Sequence, residues 1–360
     1  MNMEYRLYYI EDSSSESRKK DLEQIGFHVV QYDPNSDMNK VMRNINEYSP
    51  DIIVMDYRLT EGKYSVCYDA PTIAATIRNK HSQQKMEIPI ILISNENNIA
   101  DFYRDFLNQD LFDYAVKKQI FDNDKEKFKE KIISYINSYN KIRSENFNIF
   151  KILGLEREED YALLNSLIPK KLEMKGHQVY EYSRFVDDNL IHAIGPLIGE
   201  DILSARLGVN KKKSKKDWEQ LLEQFEKFKY KGIFSDANDR WWAEKLEEWW
   251  KSNFEINHLR RLGAKERVDL LNNKFDLKLI YEIKSPFNKS DKFWTICKGN
   301  NTPLDPFDGI NILKKDYKVW QEQEYYSVQY ALEKIEEIKN DINELDVKYL
   351  RGLANEELGN

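Results

Sequence analysis

The chain has 360 residues, of which 55 are Lys or Arg and 62 are Asp or Glu, for a formal net charge of −7. That length exceeds one typical domain and predicts two. A hydrophobic content of 41% excludes a disordered chain, and the mildly acidic balance argues against a protein that mainly coats nucleic acid, though a local basic face remains compatible with it.

The opening "MNMEYRLYYIED" reaches charged residues at once and lacks the apolar core of a signal peptide. No stretch approaches the length of a membrane span, so a soluble cytoplasmic protein with no membrane partner is expected. Cys67 and Cys297 lie far apart without companions at metal-ligand spacing, which suits a reducing compartment and no disulfide framework.

The first third alternates regularly. Strands are predicted over 5–11 ("YRLYYIE"), 28–33 ("HVVQYD"), 51–56 ("DIIVMD"), 88–94 ("IPIILIS") and 112–118 ("FDYAVKK"). Helices are predicted over 15–26, 37–48, 70–81, 98–109 and 124–143. The strands are short continuous apolar runs, as expected of strands buried on both faces. Five strands alternating with five helices predict a doubly wound, five-stranded parallel sheet of the flavodoxin type. Ligands of such sheets sit beyond the carboxyl ends of the strands, so the polar residues there should converge.

Those residues are Glu11 and Asp12 after the first strand, Asp56 after the third, Ser94 at the end of the fourth and Lys117 at the end of the fifth. A carboxylate closing an apolar strand is costly unless something compensates it. Three carboxylates at one sheet edge repel one another, and oxygen-only ligands suit Mg2+. With a lysine and a hydroxyl beside them, they equip the edge to move a phosphoryl group onto a carboxylate oxygen. Each acidic residue taken singly also reads as a helix cap, but the ordered set does not.

"YYIED", "IVMDYRL", "IILIS" and "DYAVKK" together resemble the receiver domain of bacterial two-component response regulators over residues 5–142. The resemblance implies Asp56 as phosphoacceptor and Glu11, Asp12, Asp56 and the main-chain carbonyl of Arg58 as Mg2+ ligands. It further implies Ser94 as the hydroxyl that follows the phosphoryl group, Tyr114 as the aromatic switch residue and Lys117 as the essential lysine. A sensor histidine kinase is the implied partner in a phosphorelay. Two departures stand out: Lys118 occupies the place of the proline usual after that lysine, and "TEGKYSVCYD" (60–69) reads as an insertion.

After residue 148 the alternation stops. A receiver domain over 1–142, a linker over 143–150 and a helix-rich or α+β output domain over 151–360 are expected. The doublets Trp241-Trp242 and Trp249-Trp250 are placed on one helix and in a dense core. "KKKSKK" (211–216) reads as a solvated loop, and His177, His192 and His258 share no metal spacing. "FWTICKGNNTPLDPFDG" (293–309) reads as a structured loop or a binding loop. Within 266–286, "RVDLL" and "LKLIYEIK" read as a hairpin that would bring Asp269, Glu282 and Lys284 together, similar to the D…ExK core of PD-(D/E)xK nucleases. "AKERVDLLNNKF" reads equally as one helix packed through Val268 and Leu271. The C-terminal "INELDVKYLRGLANEELGN" does not form a convincing DNA-reading helix-turn-helix.

Two functions from different classes follow. The first is a phosphorylated signalling protein whose output module binds a protein partner or sets a homodimer. The second is a receiver-gated, metal-dependent nuclease acting on nucleic acid, of a kind suited to bacterial defence.

Overall fold

The computed structural model describes residues 5–12, 16–59, 66–84, 87–95, 111–255, 258–313 and 316–358. The helix expected over 98–109 and residues 60–65 of the insertion lie outside that set. The chain divides into two compact units. One comprises residues 1–156, 166–187 and 232–237, and the other comprises 157–165, 188–231 and 238–360.

In the first unit the apolar runs form β1 (Arg6–Ile10), β2 (His28–Tyr32), β3 (Ile52–Met55), β4 (Ile90–Ser94) and β5 (Tyr114–Lys117). All pairings are parallel, in the order β2-β1-β3-β4-β5. β3 is buried along its whole length because both sheet faces are covered. Tyr8, Ile10, Ile53, Met55, Ile90 and Leu92 pack on one face with Val41, Met42, Ile45, Ile73 and Ile77. Those partners belong to helices α2 (Met38–Tyr48) and α3 (Ala70–Gln84). α2 starts where the Asp37 carboxylate accepts from the Asn39 amide, and it stops at Ser49, whose φ of 49° cannot continue a helix.

Helix α1 (Glu16–Gln24) joins β1 to β2. After β5 the chain turns directly into the short α4 (Lys118–Asn123) and then α5 (Lys125–Ser144), capped by the Asp124 side chain on the Lys127 amide. Two later segments complete this unit. Helices α6 (Leu167–Glu173) and α7 (Val179–Val186) precede Asp187, whose Oδ2 accepts from the Tyr135 hydroxyl at 2.6 Å. Residues 232–237 lie against α5, with Phe234 edge-on to Tyr135 and Asp236 accepting from Ser134 and Asn137.

A buried cation ties α3 to its surroundings. The Arg78 guanidinium donates to the Ile88 and Leu111 carbonyls, pairs with Asp113 at 2.7 Å and lies 3.9 Å from the centre of the Tyr180 ring. Asp113 also accepts from the Ile90 amide and the Tyr139 hydroxyl. A charge held in this way is stable only while its partner remains.

The second unit is helix-rich with small two-stranded antiparallel ladders. Its core gathers Leu203, Trp218, Leu221, Phe225, Trp249, Trp250, Val268 and Leu271. All four doublet tryptophans are buried, as expected of a dense core, but they do not share a helix. Trp241-Trp242 pair with Leu197-Ile198 as strands, and the helix begins only at Ala243. "KKKSKK" is largely helical rather than a loop: it opens the segment Lys211–Glu223, capped by Asn210 and kinked at Lys215 (φ 37°), with Lys211 paired to Glu200 and Asp201.

The hairpin expected over 266–286 does not form. Ala264–Phe275 is one helix, fixed by Glu266 accepting from the Gly263 amide and by burial of Ala264, Arg267, Val268 and Leu271 along one face. The helix ends at Asp276 in the left-handed region. Beyond it the chain is extended, but its partner is residues 208–210: Val209 bridges Tyr281, Asn210 N donates to the Ile280 carbonyl and Glu282 N to that of Gly208.

Asp113→Ala should lower the unfolding free energy of the first unit by about 3–5 kcal/mol, because it strands a buried guanidinium. The shift in the denaturant midpoint measures this. A loss under about 1 kcal/mol would mean that Arg78 finds another partner.

Candidate functional site

The carboxyl edge of the sheet gathers the polar strand ends. Glu11 directly follows β1, Asp56 follows β3 and Ser94 closes β4, and all three side chains are buried. The backbone locks the acidic pair in register with the sheet, Asp56 N donating to the Ile10 carbonyl at 3.0 Å and Glu11 N to that of Tyr32.

Both oxygens of Asp56 are engaged. Oδ1 accepts from the Ser94 hydroxyl and, at 2.7 Å, from the Tyr57 amide. Oδ2 accepts from the ammonium of Lys118 at 2.6 Å. The same ammonium lies 3.6 Å from Glu11 Oε2, which also accepts from the Tyr9 hydroxyl at 2.7 Å. Two buried carboxylates thus share one cation.

The electrostatics follow from this crowding. Burial, and next the charge of Asp56, push the Glu11 carboxyl up to about 7, against the opposing pull of Tyr9 and Lys118. Burial works against the Lys118 ammonium, but its bond to Asp56 and the charges of Asp56 and Glu11 prevail and hold its pKa above the usual lysine range.

The ammonium on Asp56 Oδ2 is that of Lys118, the residue after the expected Lys117. Lys117 is the last residue of β5, opposite Ser94 in the ladder, and Lys118 opens α4 in the place where the family's proline would stand. The doublet "KK" was the available signal, but only the strand register decides between its members. Asp12 follows Glu11, half-buried, and Arg58 is exposed, its guanidinium 5.6 Å from the centre of the Tyr57 ring. Among the described residues no three His, Cys, Asp or Glu side chains converge as a ready-made metal cage. Tyr114 stacks on Tyr135 of α5 at 6.4 Å, with the Lys131 ammonium 4.0 Å from its ring centre.

A parallel sheet in the order β2-β1-β3-β4-β5, with its acidic cluster at the carboxyl edge, decides the architecture. The first unit has the receiver fold.

No family model and no curated protein matches the chain. Solved structures similar to its N-terminal third are receiver domains. The response regulator TrrA from Thermotoga maritima in complex with Mg2+-BeF is 21% identical, with 35% of this chain and 97% of that one covered and a TM-score of 0.27. The receiver domain of RcsB from Salmonella enterica serovar Typhimurium in the presence of BeF3− is 22% identical over 32% and 78%, with a TM-score of 0.25. The BeF3-activated receiver domain of RstA from Klebsiella pneumoniae is 16% identical over 31% and 85%, with a TM-score of 0.24.

The second expected cluster is not assembled. Asp269 is exposed on the helix Ala264–Phe275, while Glu282 and Lys284 lie on the extended segment after it. Glu282 Oε1 accepts from the Ile283 amide, and Lys284 donates to the Lys289 carbonyl. Among the described residues no hydrogen bond or ion pair joins the three, and the nuclease reading has no support.

The raised Glu11 group predicts a pH dependence. Between pH about 4.5 and about 7 the folded protein keeps a proton on Glu11 that the unfolded chain has lost, so stability falls as pH rises through that window. Metal-free protein should show this fall in its thermal midpoint, and Glu11→Gln should flatten it. Equal slopes in the two proteins would place the proton elsewhere.

Proposed function

We propose that the first unit accepts a phosphoryl group on Asp56 and that the modification controls the second unit, which serves as the output module. The observation that carries this reading is the state of the Asp56 carboxylate, with a hydroxyl donor on one oxygen and an ammonium on the other at the edge of a receiver sheet.

The chemistry is a displacement at phosphorus. An Asp56 oxygen forms a P–O bond as the P–N bond of a phosphohistidine donor breaks, and the imidazole leaves with its electron pair. The product is an acyl phosphate. Lys118 exchanges its carboxylate partner for a phosphoryl oxygen, which spreads the added negative charge, and the Ser94 hydroxyl turns to donate to another. Both groups already stand beside the reacting carboxylate, so little reorganisation is required.

The donor set suits a hard divalent cation in kind: oxygen ligands only, with two buried carboxylates, Glu11 being raised first by burial and next by the charge of Asp56. Glu11, Asp12, Asp56 and the Arg58 carbonyl would hold Mg2+, which neutralises phosphoryl oxygens when bound. A sensor histidine kinase is the proposed donor. The proposed output is binding of a protein partner or a change of oligomeric state. Tyr114, opposite Ile91 in the β4–β5 ladder and packed on Tyr135, is proposed as the aromatic switch residue that responds to a change at Ser94.

Incubation of the full chain with acetyl phosphate and Mg2+ should add one phosphoryl group by intact mass, and Asp56→Asn should abolish it. Lys118→Ala should slow the transfer by at least tenfold, whereas Lys117→Ala should leave it within about twofold. Transfer to Asp56→Asn at the wild-type rate would sink the acceptor assignment, and the reverse order of the two lysine variants would return the role to Lys117.

A further inference from the structure

The loop "LDPFDG" ends in an aromatic ring that packs on nothing. Phe307 is 92% exposed on a 3-10 turn spanning Pro306–Asp308, which Pro306 stiffens and the Asp305 side chain caps at the Phe307 amide. A ring so rigidly held and so open contributes nothing to the core. It borders a cavity of about 390 Å³ lined by Arg260, Lys289, Ser290, Lys292, Asp305 and Asp308.

The charges around that cavity are unevenly satisfied. Asp305 is tied to the Phe307 amide and Asp308 Oδ2 to the Ser290 amide at 2.8 Å, so both carboxylates serve to hold the loops. The three cations have no such duty. Among the described residues none of Arg260, Lys289 and Lys292 is ion-paired, and the Arg260 guanidinium stacks 4.9 Å from the Trp294 ring centre. Arg206, on the same indole, is instead bound to Glu322 through a bidentate pair. Set against the carboxylates of Asp305 and Asp308, the three unpaired cations leave the cavity lining with a net positive charge in a chain that is acidic as a whole.

We propose that this cavity of the second unit binds a nucleotide unit, its phosphate held by Arg260, Lys289 and Lys292 and its base stacked on Phe307. Cations that track phosphate beside an exposed aromatic face are the elements of single-strand recognition, and stacking tolerates any base because every base has a π face. A patch without the ring would serve any polyanion; the ring selects for a planar group next to the anion. The chemistry is shared by free nucleotides and by single strands.

The test uses the full chain, a fluorescein-labelled mixed-sequence single-stranded DNA and its RNA counterpart, with ATP and heparin as competitors, read by fluorescence anisotropy. Binding that weakens steadily with salt is expected. Phe307→Ala should weaken it about tenfold without changing the salt slope, and Phe307→Trp should restore it. Arg260→Glu and Lys292→Glu should weaken it and flatten the slope. ATP competing as strongly as the strand identifies the free nucleotide as ligand, and strand binding that ATP leaves untouched identifies the nucleic acid. Absence of binding by strand and ATP alike at low salt overturns the proposal. So does binding that heparin displaces but Phe307→Ala leaves unchanged. The exposure of Phe307 keeps its variants foldable, and an unaltered thermal midpoint verifies that.

Discussion

A carboxylate placed in the dry end of a sheet has to be answered by something. Asp56 is carried to that position by β3, whose four residues are wholly buried, and is answered by a hydroxyl, an amide and an ammonium. Much else in the first unit follows from this constraint. Glu11 adds a second buried carboxyl group within reach of the same ammonium. Burial, and next the charge of Asp56, raise the pKa of the Glu11 carboxyl in this crowded edge. Lys118 can serve both carboxylates only because the chain turns into α4 at that residue.

The strands were legible because burial on both faces demands continuous β-branched runs, and "DIIVMD" and "IPIILIS" have no other economical reading. The strand ends were legible for the same reason, since a polar residue that breaks such a run marks the edge: Glu11, Asp56 and Ser94 all fall there. Lys118 was not legible. Adjacent identical residues differ only in register, and register is fixed by the Ser94–Lys117 pairing, a long-range fact.

The second unit was harder to read, and the misreadings share one cause. "RVDLL" has apolar residues at spacings that suit a strand or a helix, and the choice fell to the Gly263–Glu266 cap and to the packing of Val268 and Leu271. "LKLIYEIK" is extended as its alternation suggests, but its partner is the segment 208–210, more than sixty residues earlier. Local pattern identified the conformation and missed the neighbour. The tryptophans repeat this: all four are core residues, yet two lie in a strand because Leu197 and Ile198 offer a ladder that the spacing of eight does not reveal.

The way the first unit is put together has a consequence for how the chain can be divided. Its receiver sheet ends at Lys117, but α5 is covered by residues 166–187 and 232–237, reached only after the chain has passed through parts of the other unit. Tyr135 alone is held by Asp187 and by Phe234 from those two returns. A receiver gene joined end to end with an effector gene leaves each body on one uninterrupted stretch. Here the five crossings between the units mean that no single cut recovers both whole. A truncation at any one residue therefore leaves at least one unit without part of its chain.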